Sequence, residues 1–326
     1  MRLLVLGGTS FVGRHIVEAA LDGGHDVTLF NRGQTNPGLF DGCEQRHGDR
    51  DKGDYASLAD GTWDAVLDVN AYIPRVVREV AAALDGRVGH YTFVSTVSVY
   101  VVSGDDSVDE STELATLDDP TTEVVDNETY GGLKVLCERE VTAAFRGRST
   151  IVRPGIVAGP FDPTDRFTYW VRRAARGGIV AAPARPDQPV QVVHARDLAD
   201  FTVGATAEGL EGPFNAVGPT EPMTLAGLIE ACAAAARSDV EVEWVDESFL
   251  REQRVRMPLY VPSHAQLDGV FRCSPAKALA AGLHNRPVTE TAADTLAWDR
   301  TRGDTAMEGA PTPEQEAALL EAWRTQ

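Results

Sequence analysis

Leu3-Leu4-Val5-Leu6-Gly7-Gly8-Thr9-Ser10-Phe11-Val12-Gly13 decides the fold of this chain. The four apolar residues read as a short buried strand. Glycines end it at once, and residues 14–21 then carry Ile16, Val17, Ala20 and Leu21 at helical spacing. Strand, glycine-rich turn and helix together make a phosphate site at a helix N-terminus, where backbone N–H groups and the helix dipole face an anion. Gly7 permits the tight turn, and Gly13 lets the helix lie close to the strand. A second strand, residues 26–30, completes a βαβ unit. An acidic residue near its end would accept bonds from a ribose 2′-hydroxyl. Asn31-Arg32 stands there instead.

Further along, Tyr130-Gly131-Gly132-Leu133-Lys134 places a phenol and an ammonium four residues apart in a stretch that reads as helix. That spacing puts both on one helix face, about 5–6 Å apart at Cβ. A lysine cation beside a tyrosine favours the phenolate and is expected to lower its pKa. Such a pair suits moving a proton to or from an alcohol.

The order of these motifs resembles an extended short-chain dehydrogenase/reductase, the group that includes nucleotide-sugar epimerases, dehydratases and related reductases. The resemblance runs from residue 1 to about 218. Gly7, Ser10 and Gly13 resemble the family's three-glycine turn, with serine at the middle position. His47-Gly48-Asp49 resembles the segment whose Asp contacts adenine. Ser95-Thr96-Val97-Ser98-Val99-Tyr100 resembles the fifth strand, which delivers a catalytic Ser or Thr. Tyr130 and Lys134 match the catalytic pair, and Arg153-Pro154-Gly155-Ile156-Val157-Ala158-Gly159-Pro160 resembles the sixth strand and its exit.

The resemblance implies an α/β fold: a Rossmann-type, doubly wound parallel sheet with a smaller C-terminal α/β substrate domain. The cofactor domain is expected over residues 1–160 plus about 189–218, and the substrate domain over about 161–188 and 219–326. It implies an NAD(P)-dependent enzyme with Thr96, Tyr130 and Lys134 as catalytic residues. Thr9, Phe11 and Val12 join Gly7, Ser10 and Gly13 around a pyrophosphate. Asp49 meets adenine, Asn70 and Ala71 border the riboses, Pro154 packs near the nicotinamide, and Lys134 bonds its ribose. Substrate contacts are expected from Ser98, which shares the Thr96 face if the strand continues, and from Arg166, His194 and Arg196. Arg172 and Arg173 are further basic candidates, although adjacent helix positions diverge. Asn31 removes the repulsion an acid would exert on a 2′-phosphate, and Arg32 can fork onto one, so NADP(H) is favoured over NAD(H). The substrate is a nucleotide sugar or a smaller carbonyl metabolite. Dehydratases of the group carry Thr-Asp-Glu where this chain has Thr96-Val97-Ser98, which leaves reduction or oxidation, and epimerisation with bound NAD. The resemblance also implies a homodimer through the Tyr/Lys helix and its neighbour.

The Gly-Gly-Thr-x-Phe-x-Gly turn with a later Asn-Arg-Gly is similar, too, to chloroplast stem-loop RNA-binding proteins. A non-catalytic RNA-binding or cofactor-sensing role on the same fold is therefore the competing class. The net charge of −19 over 326 residues opposes it, because an acidic surface repels nucleic acid and anionic membranes at long range. Neither nucleic acid nor membrane is expected as a partner. Cys43, Cys137, Cys232 and Cys273 lie far apart without Cys-x-x-Cys or zinc spacing, so a reducing, cytoplasmic setting and no metal are expected. No stretch approaches the ~20 apolar residues of a membrane helix, and the N-terminal apolar run is too short for a signal peptide.

Strands are expected at 64–69, 90–95, 150–157, 189–193, 213–217 and 240–245. Helices are expected at 74–84, 128–146, 197–207, 226–236 and 312–323. Phe167, Trp170, Val171 and Ala174 form an apolar helix face. Residues 103–126, acidic and rich in Thr and Ser, read as a loop over the site.

Overall fold

β1 (Arg2–Leu6) runs into the glycine turn and α1 (Phe11–Asp22), and the chain returns through β2 (Asp26–Asn31) to the short β3 (Glu44–His47). The structure, a computed structural model, describes residues 1–102, 104, 107–265 and 267–326. β4 (Trp63–Asp68), α2 (Pro74–Ala83) and β5 (Val88–Val94) follow, and then α3 (Tyr130–Ala144), β6 (Ser149–Pro154) and β7 (Ile156–Ala158). After α4 (Arg166–Ala175) and β8 (Gly178–Pro183) come β9 (Pro189–Val190), β10 (Val192–His194), α5 (Ala195–Ala207) and β11 (Gly212–Ala216). β12 (Met223–Thr224), α6 (Leu225–Ala236), β13 (Val240–Val245) and α7 (Glu247–Glu252) lead to α8 (Ala276–Ala280), α9 (Val288–Asp299) and α10 (Pro313–Arg324).

Seven strands form one parallel sheet in the order β11-β6-β5-β4-β1-β2-β3. Alternation along β1 sorts its side chains between two layers. Leu3 and Val5 pack with Ile16 and Val17 of α1 and Ala199 and Val203 of α5. Leu4 and Leu6 face Val76, Val77 and Val80 of α2 and Leu133 and Val141 of α3. Strands covered on both faces read as continuous apolar runs, which is why β1 was legible. The strand order reverses between β1 and β4, and in doubly wound sheets the crevice beyond the carboxyl ends at such a switch point is where ligands bind.

A second core gathers Phe167, Trp170, Val171 and Ala174 of α4, the face expected from their spacing, with Leu225 and Leu228 of α6, Leu296 of α9 and Leu319 of α10. Trp170 Nε1 donates to the Pro258 carbonyl at 2.9 Å.

Two expected strands are split. The 150–157 strand divides at Gly155 into β6 and β7, and 189–193 divides into β9 and β10. β11 ends opposite Pro154, so the chain beyond has no neighbour on that side. β7 then pairs with β10, and β9 with β12, in separate two-stranded sheets. β5 ends at Val94 instead of Ser95, and residues 97–99 form a 3₁₀ turn capped by the Thr96 hydroxyl. Within 103–126, residues 103, 105 and 106 lie outside the described residues. The rest is pinned: Tyr100 bridges Leu114, Ala115 N–H donates to Val99 O, and Arg75 pairs with Glu123 at 2.8 Å.

The two glycines inside α3 mark a close approach. A Cβ at Gly131 would strike the Ser98 carbonyl, and one at Gly132 would lie 2.5 Å from Leu117 Cγ. Gly131→Ala is expected to destabilise the protein by about 1–3 kcal/mol through overpacking. A thermal melt checks it, and an unchanged Tm would mean that α3 does not press on that turn.

Candidate active site

Gly7 and Gly8 hold φ of +107° and +92°, conformations that side chains resist. A Cβ at Gly13 would lie 2.9 Å from Gly8 N, so α1 packs directly on the turn. Ser10 occupies the N-cap of α1, exposed, with its hydroxyl making no cap bond. The Thr9 carbonyl accepts from Asn36 Nδ2 at 2.7 Å. Phe11 starts the helix at φ +30°, and Val12 is half-buried behind it. At the end of β2, Asn31 Oδ1 accepts from Gly33 N–H at 2.7 Å, while Nδ2 is buried without a partner. A buried orphan donor beside a glycine cradle fits a dinucleotide, whose ribose oxygens would satisfy it. Arg32 is exposed, and its charge reaches Asp49. Asp49 Oδ1 caps the turn after β3 by accepting from Asp51 N–H at 3.2 Å, and Lys52 holds the other oxygen at 3.1 Å. These contacts, the Lys52 bond foremost, keep its carboxyl below the ordinary range. Asn70 and Ala71 lie just past β4, and buried Pro154 ends β6.

The structure brings Thr96, Tyr130 and Lys134 together, from the exit of β5 and the first turns of α3. Lys134 is buried and donates from Nζ to Ala71 O at 2.9 Å and Val94 O at 2.8 Å. Burial pushes its ammonium down to about 8. Three N–H groups less two carbonyls leaves one donor for a ligand.

Tyr130 departs from expectation. Its pKa is raised, because burial outweighs the hydrogen bond from Thr96 and the nearby Arg166 charge, both of which draw it down. Lys134 spends its proximity on two backbone carbonyls instead of lowering the phenol. Thr96 Oγ1 accepts from Ser98 N–H at 3.1 Å and lies 3.2 Å from Ser98 Oγ. The two hydroxyls thus meet through a capped turn, not through strand alternation. The neighbouring Ser95 Oγ is buried and unpartnered.

Of the basic candidates, Arg166 alone stays available. It is exposed, donates from Nε to Thr164 Oγ1 at 3.1 Å, and its field reaches Tyr130. His194 and Arg196 already have partners within the fold. His194 is 2% exposed, and its Nδ1 caps α5 by accepting from Arg196 N–H at 2.9 Å. Burial and the neighbouring Arg286 and Arg196 push its imidazole down to about 2, so it is neutral. Arg196 pairs with Asp294. Arg172 and Arg173 do diverge, to Asp299 and Glu316 respectively.

Sequence reading missed three groups. The Tyr72 ring, 47% exposed, lies 6.4 Å from that of Tyr130. Asp162, 1% exposed, leaves Oδ2 unpartnered four residues before Arg166. Asp68 is wholly buried and salt-bridged to Arg50. An acid closing an apolar parallel strand was a readable signal, because a buried carboxylate demands partners. Among the described residues, no group of three His, Cys, Asp or Glu could hold a metal, and no helix is long and apolar enough to cross a membrane.

Sheet order and glycine turn define a doubly wound, Rossmann-type α/β fold. The chain belongs to the NAD dependent epimerase/dehydratase family, whose sequence profile matches residues 55–218. It is similar to the chloroplast stem-loop binding protein of 41 kDa b from Arabidopsis thaliana, with 27% identity over 252 residues. That match covers 72% of this chain and 63% of the relative's length. In fold it is similar to the UDP-glucose 4-epimerase of Thermus thermophilus solved with NAD, with a TM-score of 0.64 and 21% identity over 94% of this chain and all of that one. The UDP-Glc/GlcNAc 4-epimerase of Campylobacter jejuni superposes with a TM-score of 0.67 at 16% identity, over 92% of this chain and 99% of that one.

Because the folded pKa of Lys134 is about 8 against an ordinary 10.5, the unfolded chain binds the extra proton between those values, and stability rises with pH there. Lys134→Met lacks this gain. The wild type is expected to gain about 3 kcal/mol relative to the variant from pH 8 to 10.5, measured by denaturant unfolding. A parallel course of the two would place the Lys134 pKa near normal.

Proposed function

We propose that this protein moves hydride between a nicotinamide dinucleotide and a carbonyl or alcohol carbon, with Tyr130 as the proton partner. The observation that carries this is the convergence of Thr96, Tyr130 and Lys134 beside the crevice at the ends of β1, β4 and β5. A bound nicotinamide supplies or accepts the hydride. Tyr130 can hand its phenolic proton to a carbonyl oxygen or receive one from an alcohol. Thr96 holds the same oxygen, and Lys134 offers its third N–H to the ribose. Gly7, Gly13 and the start of α1 receive the pyrophosphate, Asn31 the adenosine ribose, Asp49 the adenine, and Pro154 flanks the nicotinamide. Ser98 and Arg166 face the substrate. The second core, about residues 161–188 and 219–326, forms the substrate side.

The finer cofactor reading is NADP(H) over NAD(H), supported by Arg32 and by the absence of an acid at position 31. The epimerase reading, with NAD retained, draws support from the UDP-sugar epimerases among the structural relatives. A diphosphate substrate would need several cations, and Arg172, Arg173 and Arg196 are already paired. That commitment favours a smaller carbonyl substrate, with Thr96-Val97-Ser98 weighing against dehydration.

Calorimetric titration with NADPH and NADH, repeated on Arg32→Ala, tests the site. NADPH is expected to bind at least tenfold more tightly, and the gap should collapse in the variant. Equal binding would sink the Arg32 argument and move weight to the epimerase. On a panel of carbonyl substrates, Tyr130→Phe is expected to lose roughly 10²-fold or more in kcat; retained turnover would remove Tyr130 from the chemistry.

The stem-loop binding relative supports a second reading, RNA binding on the same fold. The −19 net charge opposes it. Filter binding to a stem-loop RNA at low salt decides: affinity that falls steeply with added salt would establish it, and no binding at 20 mM salt would remove it.

A further inference from the structure

Arg50, Asp68 and Tyr91 form a buried polar set on the cofactor half that the proposed chemistry does not use. We infer that Asp68, locked by Arg50 and Tyr91, is a positioning residue: by accepting the Asn70 N–H it sets the Ala71 carbonyl that holds Lys134. This rests on the reading of the crevice as a dinucleotide site.

Every acceptor position of the Asp68 carboxylate is filled. Oδ1 accepts from Arg50 Nη1 at 2.7 Å and Asn70 N at 3.1 Å; Oδ2 accepts from Arg50 Nη2 at 2.8 Å and the Tyr91 hydroxyl at 2.6 Å. The backbone of Asp68 is fixed as well, as the last residue of β4, opposite Leu6 of β1 and Phe93 of β5. The bond to Asn70 bends the chain immediately past the strand, as an Asx turn does. One residue on, Ala71 O receives Lys134 Nζ, and Val94 O, one residue past Phe93, receives it from the other side. Position thus passes from a carboxylate buried in the sheet to the ammonium at its mouth.

Stability alone does not account for the set. A buried ion pair contributes little beyond what a well-packed apolar pair of the same volume would give. What an apolar pair lacks is an acceptor aimed at Asn70. Burial alone would raise the Asp68 pKa, yet the Arg50 charge and its bonds hold the carboxyl below the ordinary range, so the acceptor persists across the working pH.

Two double variants separate the roles. Arg50→Met/Asp68→Asn and Arg50→Met/Asp68→Leu both remove the charge pair, but only the first keeps an acceptor for Asn70. Thermal melts establish that both fold. NADPH titration is expected to give a Kd within about threefold of wild type for the Asn variant and at least tenfold weaker for the Leu variant. Acetic anhydride labelling, read by mass spectrometry, should modify Lys134 faster in the Leu variant alone. Equal Kd and equal labelling in the two variants would overturn the inference. Wild type that binds neither NADPH nor NADH would overturn the dinucleotide reading, and the labelling comparison would still decide the positioning. Should either double variant fail to fold, Tyr91→Phe removes one of the four bonds and no charge. It is expected to shift Kd and labelling in the same direction by a smaller factor, and no shift would overturn the inference.

Discussion

The site depends on how closely α3 is pressed onto the ends of β4 and β5. Gly131 and Gly132 have no room for side chains, since the Ser98 carbonyl and Leu117 occupy the space. One turn on, Lys134 reaches down between Ala71 O and Val94 O, and so joins helix and both strand ends by two hydrogen bonds. A buried ammonium is costly unless paired. Here it is paired with carbonyls and lies over the Phe93 ring at 4.0 Å. The same approach carries Tyr130 to the Thr96 hydroxyl. Loosening α3 would therefore disperse the whole set.

Much of this was legible in the chain. The apolar run, the glycines and the Tyr/Lys spacing are local signals, and local signals survive folding. β1, the glycine turn, α3 and the apolar face of α4 all stand where the sequence puts them. Most of what could not be read depended on tertiary context. His194 looked like a free group at a strand end, but α5 begins one residue later and takes its Nδ1 as a cap. Arg196 met Asp294 across 98 positions. The single strands at 150–157 and 189–193 broke because their neighbours ran out, a fact held in β11 and β12. The lowered Tyr130 pKa failed because the pairwise rule ignores burial, and because Lys134 had nearer acceptors.

Charge tells a similar story. The chain carries 49 acids against 30 Lys and Arg, yet many of those arginines are spent on internal carboxylates. Arg50, Arg153 and Arg173 are buried against Asp68, Glu138 and Glu316. Arg153 also donates to the Tyr100 hydroxyl, which passes the contact on to Asn215 of β11. These sets fix registers that apolar packing alone leaves loose. They also leave Arg166 conspicuous, a cation near Tyr130 that has no salt bridge among the described residues.

The small pairing of β7 with β10 has a consequence for how such a chain can change. Residues between these strands leave the main sheet, build α4 and β8, and return beside the point of departure, with Ile156 facing Val192. α5 and β11, which complete the main sheet and its helical layer, come only afterwards. The excursion is thus anchored at both ends to one spot. Lengthening it adds a closure cost that grows only with the logarithm of its length. Lineages sharing this layout can lengthen or rebuild the excursion while the seven strands of the main sheet keep their register.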